Sequence, residues 1–447
     1  METYKIVIKN IYYKLKDTEN NTLLTNHLLV LFFFFITSSA SVVKTIFFIL
    51  ILLFILRGNY LFYIKDALKN KVVLAFFMYF MLHIISIFFS NDILSSISYT
   101  KNMKVLLFPI LLFSYIRSEF IPRFFVSFIL GMLFSEILSY GTIYELWKPH
   151  FYSYTTILNP TPFFHHVFYG MFLAFTTSLL LIEINYIKSL KFKIFLIIFF
   201  ITMSLNIFFN AARSGFYLFI ISVLITTYLL KKDNFKKNLK FIIIGLTSLI
   251  LFSAYFSTTF QNKITQARYE LNSLFLYNNY HSSWGNRVKM DLDTLSILRE
   301  NPKLLIYGVG AGQSMNKLRQ YTKFHPKDNM INIYKNTPGL HNQYLESLLQ
   351  FGFLGLILLL NIFYQILKYS QNDIILRIPQ IILTILLIFF SLHESSLAFT
   401  VISIFFIFVI SVTLKSTTSF SIKDFTLKGI FYYIIAGIFL LVVALNS

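Results

Sequence analysis

Apolar runs long enough to cross a bilayer recur along the whole 447-residue chain, and that recurrence constrains the fold more than any motif does. Thirteen segments read this way, at roughly 23–41, 43–56, 71–90, 103–117, 121–143, 163–183, 192–209, 214–231, 239–257, 344–367, 376–392, 396–414 and 427–445. Several fall short of the ~20 residues that span hydrocarbon comfortably, so their ends are set only to within a few residues. Charged residues make up 13% of the chain and the mean hydropathy is +0.68. A soluble domain, with about 25% charge, has far more with which to solvate its surface. The 54 Phe and 28 Tyr suit lipid-facing helices with tyrosines at the interface. The expected fold class is an all-α polytopic membrane protein with about 12–13 transmembrane helices and one large, partly helical outer loop.

Loop charge sets the expected orientation. With the N-terminus inside, the inner segments hold 23 Lys and Arg, and the short outer loops hold five: Lys44, Lys101, Lys104, Lys148 and Arg213. Basic residues are retained on the cytoplasmic side, so this placement is the expected one and residues 258–340 lie outside. Long loops translocate largely regardless of charge, so the basic residues of 258–340 do not weigh against it. The chain divides into an N-terminal membrane bundle of about nine spans (1–257), the loop (258–340) and C-terminal membrane helices (341–447). The first 22 residues are polar and carry no A-x-A-like site, which reads as an anchored start and not a cleaved signal. The net charge of +20 is dispersed between spans, which argues against nucleic acid as a partner, and with no Cys there are neither disulfides nor thiolate metal sites.

Within the loop, Asn286 to Arg299 reads as an amphipathic helix, with Val288, Leu292, Leu295 and Leu298 at the helical period and Asn301-Pro302 as its stop. Arg287 stands at its start. Asp291 and Asp293 look like a metal-binding pair, but positions i and i+2 of a helix point about 200° apart, so no metal site is expected there. Gly308-Val309-Gly310-Ala311-Gly312 has no βαβ unit around it and reads as a flexible turn, not a nucleotide loop. His281 and His325 read as solvated histidines.

Three elements are more specific. His341-Asn342 precedes Gly352-Phe353-Leu354-Gly355 where the chain returns to the membrane, and glycines three apart admit a neighbouring helix. Viewed alone, this also fits an interfacial histidine ahead of an ordinary packing pair. Arg213, in the turn Asn210 to Gly215, is costly at membrane depth unless paired; a snorkelling arginine on a headgroup phosphate is the alternative. Arg287 is the third. All three fall on the expected outer side. Two guanidiniums can hold a diphosphate through planar charge-assisted hydrogen bonds, and an imidazole can take a proton from an attacking sugar hydroxyl. Together they fit group transfer from a lipid diphosphate.

At these residues the chain resembles the O-antigen ligase/polymerase family of bacterial envelope enzymes. His341-Asn342 with Gly352 and Gly355 is similar to its His-Asn-x9-Gly-x-x-Gly signature. Asn301-Pro302 to Gly310 resembles its Pro…Gly-x-Gly loop segment, Ala212-Arg213-Ser214-Gly215 its arginine turn, and Asn286-Arg287 its second arginine. The specific part covers about 210–360. The resemblance implies an inner-membrane enzyme whose site faces the periplasm. It would transfer a glycan from undecaprenyl diphosphate to a sugar of the lipid A core, without a metal or other cofactor. It implies His341 as base or orienting group, Arg287 as a catalytic clamp on the leaving diphosphate, and Arg213 as a second clamp. Asn342, beside His341, belongs to the same motif and joins the substrate-binding set. His166 begins the sixth span on the outer side and is a weaker candidate for the acceptor cleft. Glu136 and His83, inside spans five and three, stay outside the site. The family commonly has twelve spans, so 427–445 is a thirteenth or lies flat.

An O-antigen polymerase would share donor, topology and signature with a ligase. A transporter or lipid flippase, from another class, would show related halves and broken helices near the midplane. No such repeat is visible.

Overall fold

The computed structural model describes residues 12–415, apart from 14, 148–154, 158, 211, 326–329, 338 and 370–372. The expected segment 427–445 lies outside them. The described elements are helical: α1 (Thr18–Phe35), α2 (Ala40–Arg57), α3 (Tyr60–Ala67), α4 (Lys71–Ile87), α5 (Ile93–Asn102), α6 (Phe108–Tyr115), α7 (Ile121–Ile143), α8 (His166–Tyr186), α9 (Leu190–Phe209) and α10 (Arg213–Leu230). Then follow α11 (Phe235–Phe256), α12 (Thr258–Tyr277), α13 (Ser283–Glu300), α14 (Leu304–Tyr307), α15 (Ser314–Phe324), α16 (Ile331–Asn336), α17 (Gln343–Lys368), α18 (Ile374–Phe390) and α19 (Thr400–Thr413). Seven helices among the described residues are long and apolar enough to cross a membrane: α2, α7, α8, α9, α10, α11 and α17, of which α7 and α11 include short 3-10 leads. The pair α3 and α4 passes the same test jointly but is bent by 105°, and α18 and α19 are shorter apolar helices. The chain is an all-α polytopic membrane protein.

Packing explains which helices face lipid. Residues 402–413 of α19 are buried throughout, and its Phe405 and Phe408 stack on Phe128 of α7 and Phe32 of α1 at 5.0 and 3.9 Å between centroids. An all-round apolar helix that is also buried forms the centre of the bundle. In contrast, α11 buries little beyond Ser253, and its exposed Phe241, Ile243, Ile244 and Leu251 form a lipid-facing side.

Some expected segments fold differently. The segment 103–117 is not one span: a 3-10 turn, Met103–Leu107, leads into α6, with Pro109 at its first turn, where a missing N–H is least costly. In the loop helix α13 the buried positions are Gly285, Met290, Asp293, Thr294, Ile297 and Leu298, and Leu292 and Leu295 are exposed. The sequence pattern misplaces that face because Asp293 is paid for by partners: Lys289 Nζ at 2.8 Å and the Tyr334 hydroxyl at 2.7 Å both donate to it.

The glycine run 308–312 is a packed wedge and not a flexible turn. Helix α17 bends at Gly352, with φ +67° and ψ −161°, which frees carbonyls on the preceding turn. Val309 N–H donates to Leu349 O and Gly310 N–H to Gln350 O, each at 2.9 Å. A Cβ at Gly352 would sit 2.5 Å from Leu305 O, so this glycine admits the loop helix α14 and not a neighbouring span. The wedge thus fixes the upper part of α17, which begins two residues after His341.

Candidate functional site

Helices α8 and α10 cross at a glycine contact. A Cβ on Gly170 would lie 3.0 Å from Gly215 Cα, and one on Gly215 would lie 3.2 Å from Gly170 Cα. Small residues let helices approach in lipid, where packing and not hydrophobicity drives association. One turn above Gly170 on the same face is His166; Arg213 opens α10 two residues before Gly215. The crossing therefore brings these two together at one end of the bundle. Arg213 forks onto Glu270 of α12, with Nη1 and Nη2 each 3.0 Å from a carboxylate oxygen. Glu270 is buried, so the pair meets the cost of an arginine at this depth within the protein.

Arg287 lies one turn into α13, which Ser282 caps by accepting from Gly285 N–H. His341 precedes the N-cap of α17 and holds a left-handed backbone, φ +55°. Asn342 caps α17, accepting from the Tyr344 and Leu345 amides, and donates to Asp291 at 3.2 Å. The next residue, Gln343, is buried and reaches across to the turn between α18 and α19. Its N–H donates to Ser391 O and its Oε1 accepts from Leu397 N–H, each at 2.9 Å. That turn carries Glu394. Its Oε2 lies 2.7 Å from His341 Nδ1 and its Oε1 accepts from Arg287 Nη2 at 2.7 Å. Arg287 Nε adds a bond to His393 O at 3.2 Å.

Electrostatics fixes the proton on this bridge. Burial raises the Glu394 carboxyl, but the hydrogen bond and charge of His341 and the charge and hydrogen bond of Arg287 outweigh it. The carboxyl is held below its usual range. An ionised carboxylate only accepts, so His341 Nδ1 carries the hydrogen and Nε2 keeps a lone pair whenever the ring is neutral.

These groups border a cavity of about 430 Å³ lined by His166, Arg213, Lys263, Trp284, Arg287 and Glu394 among others. Three sequence candidates, His166, Arg213 and Arg287, share its wall. His341 is one carboxylate away, behind Glu394, with 24% of its side chain exposed. Asn342 is not in the lining; its amide is committed to the helix cap and Asp291. Asp291 and Asp293 turn to different partners, as their spacing requires. His83 lies elsewhere, buried with Nδ1 on Tyr79 O, and Glu136 is buried in α7.

Among the lining or bridging groups that the sequence does not single out are Glu394, Glu270 and Lys263. Glu394 had a signal, an acid in a very short turn between two apolar runs. Lys263 and Glu270 had only a spacing of seven, two turns along one face of α12, inside a loop with many polar residues.

No curated protein matches the chain. Residues 198–360 match the profile of a family described as O-Antigen ligase, a stretch that takes in Arg213, Lys263, Glu270, Arg287 and His341 but neither His166 nor Glu394. Over that stretch, this polytopic membrane protein is similar to the O-antigen ligase family.

Proposed function

We propose that the protein transfers O-antigen glycan from undecaprenyl diphosphate to a sugar hydroxyl of the lipid A core, at the periplasmic face of the inner membrane. One observation carries this reading: a single buried carboxylate, Glu394, joins His341 to Arg287 at the edge of a cavity that Arg213 also lines. The donor diphosphate occupies the cavity and the acceptor meets His341 at its rim. The acceptor oxygen attacks the anomeric carbon as the bond from that carbon to the diphosphate oxygen breaks. His341 Nε2 takes the hydroxyl proton, and Glu394 stabilises the imidazolium that forms. Undecaprenyl diphosphate departs with the bonding electron pair. Arg287 and Arg213 offset that charge, the work a divalent cation does in other transferases, so the reaction is proposed to proceed without a metal. His166, on the cavity wall, is proposed to contact substrate. Asn342 is proposed to act through the helix cap that seats His341.

Deleting the gene and examining lipopolysaccharide on a gel tests the reading. Loss of all O-chain with accumulation of lipid-linked glycan is expected. A single repeat unit left on the core would assign a polymerase, and normal lipopolysaccharide would sink both. Complementation by His341→Asn, which tolerates the left-handed backbone, should fail at normal protein level. A purified enzyme that depends on added Mg²⁺ or Mn²⁺ would contradict the metal-free step.

A further inference from the structure

Each guanidinium at the cavity already faces a buried carboxylate. Arg213 is forked onto Glu270, and Arg287 holds Glu394. Both acids are almost fully buried, so they stay in place when an anion arrives. Each acid offsets part of its arginine's charge, so the arginines alone balance only part of a diphosphate. An incoming diphosphate meets two frames whose strongest contacts are taken.

Lys263 differs from both arginines. It lines the same wall from α12, with Gln266, Ala267 and Leu271 on the same face. It is half-buried, and its Nζ donates to Gln266 Oε1 at 3.0 Å. Among the described residues no carboxylate forms a salt bridge with it. Burial, and then the charge of Arg213, hold its ammonium below the usual lysine range, with Glu270 offsetting part of this. Its cation is therefore poorly served where it stands, and a phosphate oxygen would serve it. An ammonium on a flexible stem has three rotatable donors and suits a single phosphate contact, where the arginines suit planar forks.

We propose that Lys263 is the phosphate anchor of the cavity, binding the diphosphate of the lipid-linked donor while Arg213 and Arg287 frame it. This rests on the glycan-transfer reading, because the donor's diphosphate is the anion it would hold. The shared chemistry is a phosphate on a lipid, and a phospholipid headgroup is the competing source.

Undecaprenyl diphosphate is titrated into the full-length protein in detergent, with the fluorescence of Trp284 on the cavity wall as readout. Phosphatidylglycerol is titrated in parallel. Lys263→Gln should weaken undecaprenyl diphosphate binding by about tenfold or more, the scale of one lost charge-assisted contact, while Lys263→Arg stays within about threefold of the parent. Thermal unfolding of Lys263→Gln should match the parent, since no buried acid is orphaned. Equal affinity in Lys263→Gln and parent would overturn the proposal and leave the arginines as sole anchors. Phosphatidylglycerol binding as tight as the diphosphate, and weakened equally, would reassign the lysine to headgroups. No binding by the parent protein would sink the glycan-transfer reading, and the anchor with it.

Discussion

Glu394 Oε2 lies 2.7 Å from His341 Nδ1 while its other oxygen lies 2.7 Å from Arg287, so the proposed base and one proposed clamp share a counter-ion. This coupling sets the imidazole tautomer and the guanidinium position together. Glu394→Gln keeps the shape but replaces an acceptor-only group with one that both donates and accepts. The expected result is a fall in turnover of about 10²–10⁴, with a smaller change in donor KM, measured on purified enzyme. Turnover within about threefold of the parent would show that the bridge is structural only.

The same carboxylate makes a pH prediction. Its folded pKa is held below the usual 4.5 by His341 and Arg287, despite burial. A depressed acid contributes stability that is present above its unfolded pKa and is lost as pH falls through the folded value. The thermal midpoint of the parent protein should therefore hold from neutrality down to about pH 5 and drop below about 4.5. In Glu394→Gln that part of the acid-side loss should be missing, as scanning fluorimetry across the range would reveal. An identical acid limb in both proteins would assign the loss to other carboxylates.

Arg213 illustrates why alanine substitutions here confound chemistry with folding. Removing it leaves Glu270 buried and unpaired, a loss of about 3–5 kcal/mol. Arg213→Ala should thus lower protein level as well as activity. The double change Arg213→Gln with Glu270→Gln removes both charges, and it should recover protein level while complementation stays lost. Blots and lipopolysaccharide gels on the same strains separate the two effects. A fully active double variant would remove Arg213 from the diphosphate site.

Much of the architecture was legible because lipid demands long apolar helices, and α8, α9, α10 and α17 stand close to where the apolar runs place them. His166, Arg213 and Arg287 were legible as ionisable groups at span ends or on a loop helix. What sequence could not supply was pairing. Glu270 and Glu394 look like ordinary acids until α12 and the turn after α18 bring them to the arginines, 57 and 107 residues away in the chain. The face of α13 was misjudged for the same reason: Asp293 is buried only because Tyr334 and Lys289 reach it. Binary patterning sees the apolar half of a buried surface and is blind to a satisfied polar one.

The bend at Gly352 gives the last prediction, because it ties the loop to the proposed base. A Cβ there would meet Leu305 O at 2.5 Å and Ile306 O at 2.7 Å, and the backbone, at φ +67° and ψ −161°, lies in an essentially glycine-only region that costs other residues about 1–3 kcal/mol. Neither contact can relax cheaply, since both are backbone atoms of the docked helix α14. Gly352→Ala should straighten α17 or expel the wedge, and either outcome shifts the turn that carries His341. The expected phenotype is lost O-chain together with faster proteolysis within 301–325. Gly245→Ala is the matched control: it sits in α11 with nothing within 4 Å of the added carbon, so it should leave activity intact. Gly352→Ala with parent-like proteolysis and O-chain would show that the wedge does not hold the site.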